Sequence, residues 1–103
     1  MIRVIASIRV KDGKLAEFLE RFKANLPHVR AEQGCIEYVP VVDIDMALPS
    51  QELDPQTVTV IEQWESEAAL RAHLVAPHMD HYREAVKDLV EKVALTVLKD
   101  VDG

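Results

Sequence analysis

Several features that direct proteins to oxidising compartments, membranes or nucleic acids are scarce in these 103 residues. Cys35 is the only cysteine, so an intramolecular disulfide is impossible and a reducing cytoplasm is the expected location. No apolar run approaches the roughly 18 residues that a membrane-spanning helix needs, and the N-terminal residues indicate a strand rather than a signal peptide. Acidic residues outnumber basic ones by 18 to 12, giving a net charge of −6. This charge argues against binding to nucleic acids or anionic membranes.

The chain also lacks the short motifs of several common enzyme classes. It contains no G-x-G-x-x-G fingerprint, no P-loop and no G-x-S-x-G elbow, so dinucleotide, nucleotide and serine-hydrolase functions have no support. His73, His78 and His81 invite interpretation as a zinc site, but their spacing matches no standard zinc motif and only one cysteine is present. We therefore expect no metal site.

What is present is typical of one small globular domain spanning residues 1–103, with 49% hydrophobic and 29% charged residues. Period-2 alternation predicts strands over residues 2–10, 35–44, 57–65 and 93–99. Helical periodicity predicts helices from residue 14 to a stop at Gly34, over residues 66–75, and from Pro77 onward. Pro27 should kink the first helix or end it early, and Pro40 suggests an edge strand or a bulge. Residues 45–56 read as a long loop.

This order of elements predicts an α+β fold of the ferredoxin-like, split βαβ type. In that fold a four-stranded antiparallel sheet carries its helices on one face. The opposite face is not fully polar, because it includes Ile5, Ile61 and Leu98. Exposing such an apolar surface to water costs free energy, so we expect a homodimer with the two sheets packed face to face.

The side chains capable of chemistry are concentrated between residues 58 and 82. Glu62 lies between Val60 and Trp64 on one strand face, so its carboxylate should be desolvated and its pKa raised unless it is paired. Such a group is a candidate proton acceptor or histidine anchor, or a structural hydrogen-bond partner. His73 and His78 flank the break at Pro77, and the turn can bring them together. Each is a candidate general base, and each is equally a candidate capping or solvent-exposed histidine.

Each aromatic side chain near these groups has two possible roles, in ligand binding or in core packing. Trp64 is a candidate wall that stacks on a planar ligand, and also a natural core residue beneath a helix. Tyr38 and Tyr82 are candidates to bind a ligand oxygen, although buried tyrosines are more often core residues with a satisfied hydroxyl. His81 lies off the line joining His78 to Tyr82 and is expected at the surface.

The pattern as a whole resembles the antibiotic biosynthesis monooxygenase superfamily, and within it the bacterial quinol monooxygenases. The resemblance rests on residues 61–66 (IEQWES), 72–74 (AHL) and 76–79 (APHM), supported by residues 4–6, 32–35, 38–40, 42–43 and 84–87. It implies a dimeric α+β barrel with a pocket between sheet and helices in each subunit. It further implies oxidation of a hydroquinone or polyphenol by O2 with no metal, haem or flavin cofactor.

For such an enzyme we expect Trp64 to be the ring wall, as the resemblance suggests, and His73 or His78 to be the base. We expect Glu62 and Tyr82 to give polar support, and Tyr38 is a further candidate to bind the substrate. A haem-degrading relative uses an asparagine on the first strand, where this chain has Ala6 and Ser7, which argues against haem. Two other functions stay open: a non-catalytic, small-molecule-binding stress-response dimer, and a lactone isomerase on the same fold.

Overall fold

A computed structural model describes residues 1–102 as seven elements around one sheet. The strands are β1 (Ile2–Val10), β2 (Cys35–Val41), β3 (Thr57–Trp64) and β4 (Val90–Lys99), and the helices are α1 (Leu15–Arg30), α2 (Glu67–Leu74) and α3 (Pro77–Val86). The strand order across the sheet is β2-β3-β1-β4, and every neighbouring pair is antiparallel. The ferredoxin-like α+β fold predicted from the element order is therefore confirmed.

Alternating side chains of the two central strands build the core. Register pairs such as Val4 with Glu62 and Ala6 with Val60 place the inward side chains of β1 and β3 next to one another. The apolar stripe of α1 packs against this face. These elements contribute most of the core: Val4, Ala6, Ile8 and Val10 from β1, Val58, Val60 and Trp64 from β3, and Phe18, Phe22, Leu26 and Val29 from α1.

Local sequence signals account for the beginning of each short helix. Ser66 is the N-cap of α2, where its hydroxyl oxygen accepts a hydrogen bond from the Ala69 N–H at 3.1 Å. Pro77 occupies the first turn of α3, where a missing N–H leaves no helical hydrogen bond unmade. The break between α2 and α3 is thus set by Pro77, as the sequence predicts.

Two strand boundaries were predicted wrongly, and one of the two effects predicted for Pro27 does not occur. Helix α1 continues through Pro27 to Arg30, so Pro27 does not end it early. Pro27 lies in the last turn, and its carbonyl accepts the Ala31 N–H that closes the helix. Strand β2 ends at Val41, three residues before the predicted end, and β4 begins at Val90, three residues before the predicted start.

Period-2 alternation predicts that Ile36 and Tyr38 lie on the same face of β2, and the structure shows that this prediction was wrong. The register with β3 shifts between Cys35 and Glu37, and this bulge breaks the simple alternation. Ile36 is therefore 48% exposed whereas Tyr38 is 5% exposed. Pro40 lies on an edge strand, as predicted.

Strand β4 is the one strand that the helices leave uncovered on its inner side. Val93, Leu95 and Val97 pair with inward-facing residues of β1, so they share the helical face of the sheet. Each is nevertheless about half exposed. A space bounded by β4, β1 and the two short helices therefore opens on the helical side of the sheet, and the candidate site lies there.

Candidate active site

A cavity of about 410 Å³ lies between the sheet and the short helices, within the ~300–1,000 Å³ range of small-molecule sites. Most of its wall is aliphatic and comes from β1, β3, β4 and α3. The apolar lining consists of Val4, Ala6, Ile8, Val60, Leu70, Leu74, Met79, Val86, Val90, Val93, Leu95 and Val97. Four polar groups in the wall, Tyr38, Glu62, His73 and Tyr82, interrupt this surface, and Arg83 and Lys87 add two cations.

Glu62 projects from β3 into the core side of the sheet and is 4% exposed. Burial raises its pKa to about 7, and the negative charge of Glu32 adds to this rise, while a hydrogen bond from Trp64 opposes it. The indole Nε1–H of Trp64 donates to Glu62 Oε1 at 2.9 Å. Near neutral pH this carboxyl is therefore poised between a proton donor and a proton acceptor.

His73 comes from α2 and is 2% exposed. Its Nδ1 lies 2.7 Å from Oε2 of Glu32, a residue in the turn after α1. Burial lowers the pKa of His73, although the hydrogen bond and the charge of Glu32 raise it in part. The imidazole is accordingly held neutral, with Nδ1 engaged by Glu32, so Nε2 is the nitrogen left to accept a proton from a guest.

His78, at the start of α3, lies close to His73 but outside the cavity wall. The two ring centroids are 6.5 Å apart, which confirms that the turn at Pro77 brings them together. His78 instead lines a shallow groove between α1 and α3, together with Asn25, His28 and His81. Its Nε2 lies 3.3 Å from the same Glu32 oxygen, and its Nδ1 lies 3.2 Å from Asn25 Oδ1.

Trp64 is fully buried and lies behind the cavity wall rather than in it. Its ring centroid is 4.6 Å from that of His73 and 6.3 Å from that of Tyr38, the latter in an edge-to-face arrangement. With its hydrogen bond to Glu62, the indole touches three of the polar groups that line the cavity. Its observed position is that of a support for those groups, and the position of a stacking wall is taken by aliphatic side chains.

Tyr38 and Tyr82 both line the cavity. Phe22 packs against both rings. It stacks on Tyr38 with ring centroids 5.9 Å apart, and it contacts Tyr82 edge-to-face with ring centroids 5.7 Å apart. Burial raises the pKa of both phenols well above the ordinary value. Because both side chains line the cavity, their neutral hydroxyls are candidates to donate a hydrogen bond to a ligand oxygen.

Glu32, Asn25, Arg83 and Lys87 were missed as site residues by sequence reasoning. Arg83 and Lys87 follow Met79 at intervals of four, the helical spacing that puts them on the cavity side of α3. This signal was present in the sequence. Nothing local indicates Glu32, because its contact with His73 spans 41 positions of the chain.

Residues 1–102 contain no group of three or more His, Cys, Asp or Glu side chains placed to hold a metal ion. They also contain no helix with the length and apolarity needed to cross a membrane.

The fold and the cavity define an α+β protein with a small, mostly apolar cavity whose wall includes a carboxyl group and an imidazole. The model of the antibiotic biosynthesis monooxygenase family matches residues 1–85, so the chain belongs to that family. It is therefore an enzyme of the monooxygenase class, as the resemblance predicted.

Individual relatives agree with this assignment. The protein named "Probable quinol monooxygenase YgiN" from Escherichia coli strain K12 is 41% identical over 101 residues, covering 96% of this chain and 97% of the relative. Among solved structures, Rv0793 from Mycobacterium tuberculosis superposes with a TM-score of 0.81 at 27% identity, over 99% of this chain and 96% of that one. SO0527 from Shewanella oneidensis gives a TM-score of 0.79 at 28% identity, over 94% and 87% of the two chains.

Proposed function

We propose that this protein is a cofactor-independent monooxygenase that oxidises a hydroquinone or a related polyphenol with O2. The observation on which the proposal rests is that a neutral histidine, His73, and a protonatable carboxyl, Glu62, both lie in the wall of a mostly apolar cavity. The name of the Escherichia coli relative supports a quinol as the class of substrate. The physical reason why no cofactor is needed is that the quinol itself is the reductant.

The chemistry begins with loss of a phenolic proton. A quinolate is far easier to oxidise than a quinol, so it can pass one electron to triplet O2 and avoid the spin barrier to direct two-electron reaction. The balanced reaction converts a hydroquinone and O2 into a hydroxyquinone and water, with the quinol supplying all four electrons. The protein must bind a flat ring, remove a proton, and stabilise the anions that form.

Each requirement has a candidate residue in the cavity. His73 Nε2 accepts the phenolic proton, as a general base whose pKa burial keeps below the ordinary value. Glu62, when protonated, donates a hydrogen bond to a quinone or quinolate oxygen, and the hydroxyls of Tyr38 and Tyr82 do the same. Arg83 and Lys87 at the α3 side of the wall are paired with Asp80 and Glu84 at 3.3 Å and 2.7 Å, so their charges favour an anionic guest only weakly.

A second copy of the chain would complete the enclosure, since the family resemblance implies a dimer. The exposed apolar side chains support this part of the proposal. They occur on β4 at Val93, Leu95 and Val97, on the opposite sheet face at Ile61 and Leu98, and in the loop after β2 at Val42, Ile44, Met46 and Leu48. Sedimentation equilibrium is expected to give twice the monomer mass of 11.6 kDa.

The test is oxygen consumption with chemically reduced naphthoquinones, measured on an oxygen electrode against an autoxidation blank. Wild-type protein should consume oxygen above the blank, and His73→Ala should lose about 100-fold or more of kcat. Glu20→Gln, an exposed change on α1, should leave the rate unchanged. Full turnover by His73→Ala would refute the assignment of the base. Tight binding with no oxygen uptake would instead identify a binding protein.

A further inference from the structure

We propose that Glu32 joins His73 in the cavity to His78 in the outer groove. A proton taken from a guest passes through these three side chains and is later returned by the same route. The inference rests on the proposed function, because the guest must be a proton donor. It gives a role to Glu32 and His78, which do not touch the guest. His73 removes the proton in the cavity, and His78 holds it in the groove.

The three side chains form a continuous path through the protein. His73 Nδ1 and His78 Nε2 lie 2.7 Å and 3.3 Å from one oxygen, Oε2 of Glu32. Exposure rises along this path, from 3% for the His73 side chain to 15% for Glu32 and 22% for His78. The path therefore runs from the enclosed cavity to a groove that water can reach, with the carboxylate at its midpoint.

The hydrogen-bond partners of His78 leave its Nε2 able to accept a proton from Glu32 Oε2. Asn25 presents Oδ1, an acceptor, so His78 Nδ1 must donate to it. In the neutral ring His78 Nε2 then holds a lone pair that faces the carboxylate at 3.3 Å. This nitrogen is the one buried side-chain nitrogen or oxygen without a hydrogen-bond partner in the described chain. A proton arriving on Glu32 Oε2 or on His78 Nε2 would turn two opposed lone pairs into a hydrogen bond.

The transfers balance atom by atom. The guest O–H proton moves to Nε2 of His73, and the Nδ1 proton of His73 moves to Oε2 of Glu32. The Glu32 proton then moves to Nε2 of His78, which becomes an imidazolium. Conversion of a hydroquinone and O2 to a hydroxyquinone and water neither releases nor consumes a net proton. The same proton transfers therefore run in reverse when reduced oxygen is protonated to water, and both imidazoles regain their starting tautomers.

Other charged and titratable groups around His73 and Glu32 modulate this path. Those facing them are Cys35 and Tyr38 on β2, Glu62 on β3, and Arg83 on α3. Arg83 and a protonated His78 oppose protonation of His73, whereas Glu32 favours it. Removing the Glu32 charge should therefore make His73 a weaker base without altering the apolar wall of the cavity.

The first test needs no substrate and reads the two imidazoles directly. Two-bond ¹H–¹⁵N NMR spectra of protein labelled in histidine report which ring nitrogen holds the proton. In the wild type, His73 should be protonated on Nδ1. In Glu32→Gln, its titration midpoint should fall by about one pH unit or more, while the exposed control Glu20→Gln should leave it unchanged. A His73 signal unaffected by Glu32→Gln, or a His73 protonated on Nε2, would overturn the proposal.

The second test uses turnover and a variant that spares the cavity. His78→Gln should lower kcat by about tenfold and leave KM unchanged, because His78 lies outside the cavity wall. Added imidazole should restore the rate, since the groove is open to solvent. Wild-type kcat in His78→Gln, or a loss that imidazole does not restore, would overturn the chain of transfers. If the wild type consumes no oxygen, the proposed function fails while the NMR result still decides whether Glu32 couples the two histidines.

Discussion

Replacing Glu62 with Gln should stabilise the protein at alkaline pH and have little effect on stability at acidic pH. Glu62 is 4% exposed, and its neutral form suits this environment better than its carboxylate does. Glutamine has nearly the same shape, and its Oε1 can still accept the hydrogen bond that Trp64 donates at 2.9 Å. The substitution therefore removes the charge and retains the packing.

The magnitude follows from the pKa. A folded-state pKa of about 7 against an ordinary value of 4.5 means that the folded state holds the proton more tightly than the unfolded state does. Stability from this group is fully present below the unfolded pKa and is lost as the pH rises through the folded pKa. The loss is about 3 kcal/mol, at about 1.4 kcal/mol per pH unit. Glu62→Gln does not suffer this loss.

Urea unfolding at pH 4.5 and pH 8, at one fixed protein concentration, measures the effect. The difference in free energy of unfolding between Glu62→Gln and wild type should be about 3 kcal/mol larger at pH 8 than at pH 4.5. Using the difference between two pH values cancels any constant effect of the amide. Burial of His73, which lowers its pKa, contributes to both proteins alike. An equal difference at the two pH values would refute the idea that the Glu62 carboxyl is desolvated.

Two further predictions concern the scaffold, both measured by urea unfolding. Gly34→Ala should destabilise by about 3 kcal/mol or more, because φ is +88° and a Cβ would lie 2.6 Å from Ala69 Cβ. Gly13→Ala, at φ +73° with open space around it, should cost only about 1–2 kcal/mol, and equal costs would contradict the packing argument. Ser66→Ala should cost about 1 kcal/mol through loss of the α2 cap, whereas Ser66→Asp should retain most of it.

The fold could be predicted from the sequence because its local signals agree with one another. Alternation in β1 and β3, the apolar stripe of α1, and the cap and break at Ser66 and Pro77 all specify the same arrangement. The errors arose where a local rule met a longer-range contact. The register slip near Ile36 depends on pairing with β3, and pairing is not visible in β2 alone.

The candidate site was predictable only in part for the same reason. Glu62, His73, Tyr38 and Tyr82 do line one cavity, because strand alternation and helix spacing fix which way each side chain points. The exposure of β4 could not be inferred, since it depends on how far the helices reach across the sheet. Glu32 lies outside regular structure, in the turn after α1, where no periodicity indicates a direction.

The buried carboxyl of Glu62 is itself an argument that the cavity has a chemical role. A domain of this size has a free energy of unfolding of about 5–15 kcal/mol, and an ionised Glu62 removes about 3 kcal/mol of it at alkaline pH. A Gln or an aliphatic residue would avoid that loss while filling the same position between Val60 and Trp64. The neighbouring contacts do not neutralise the charge, since Trp64 supplies one neutral hydrogen bond and Glu32 is a like charge. A group held near its midpoint at neutral pH is suited to give and take a proton, and this supports the proposed role of Glu62 in proton transfer to a bound guest.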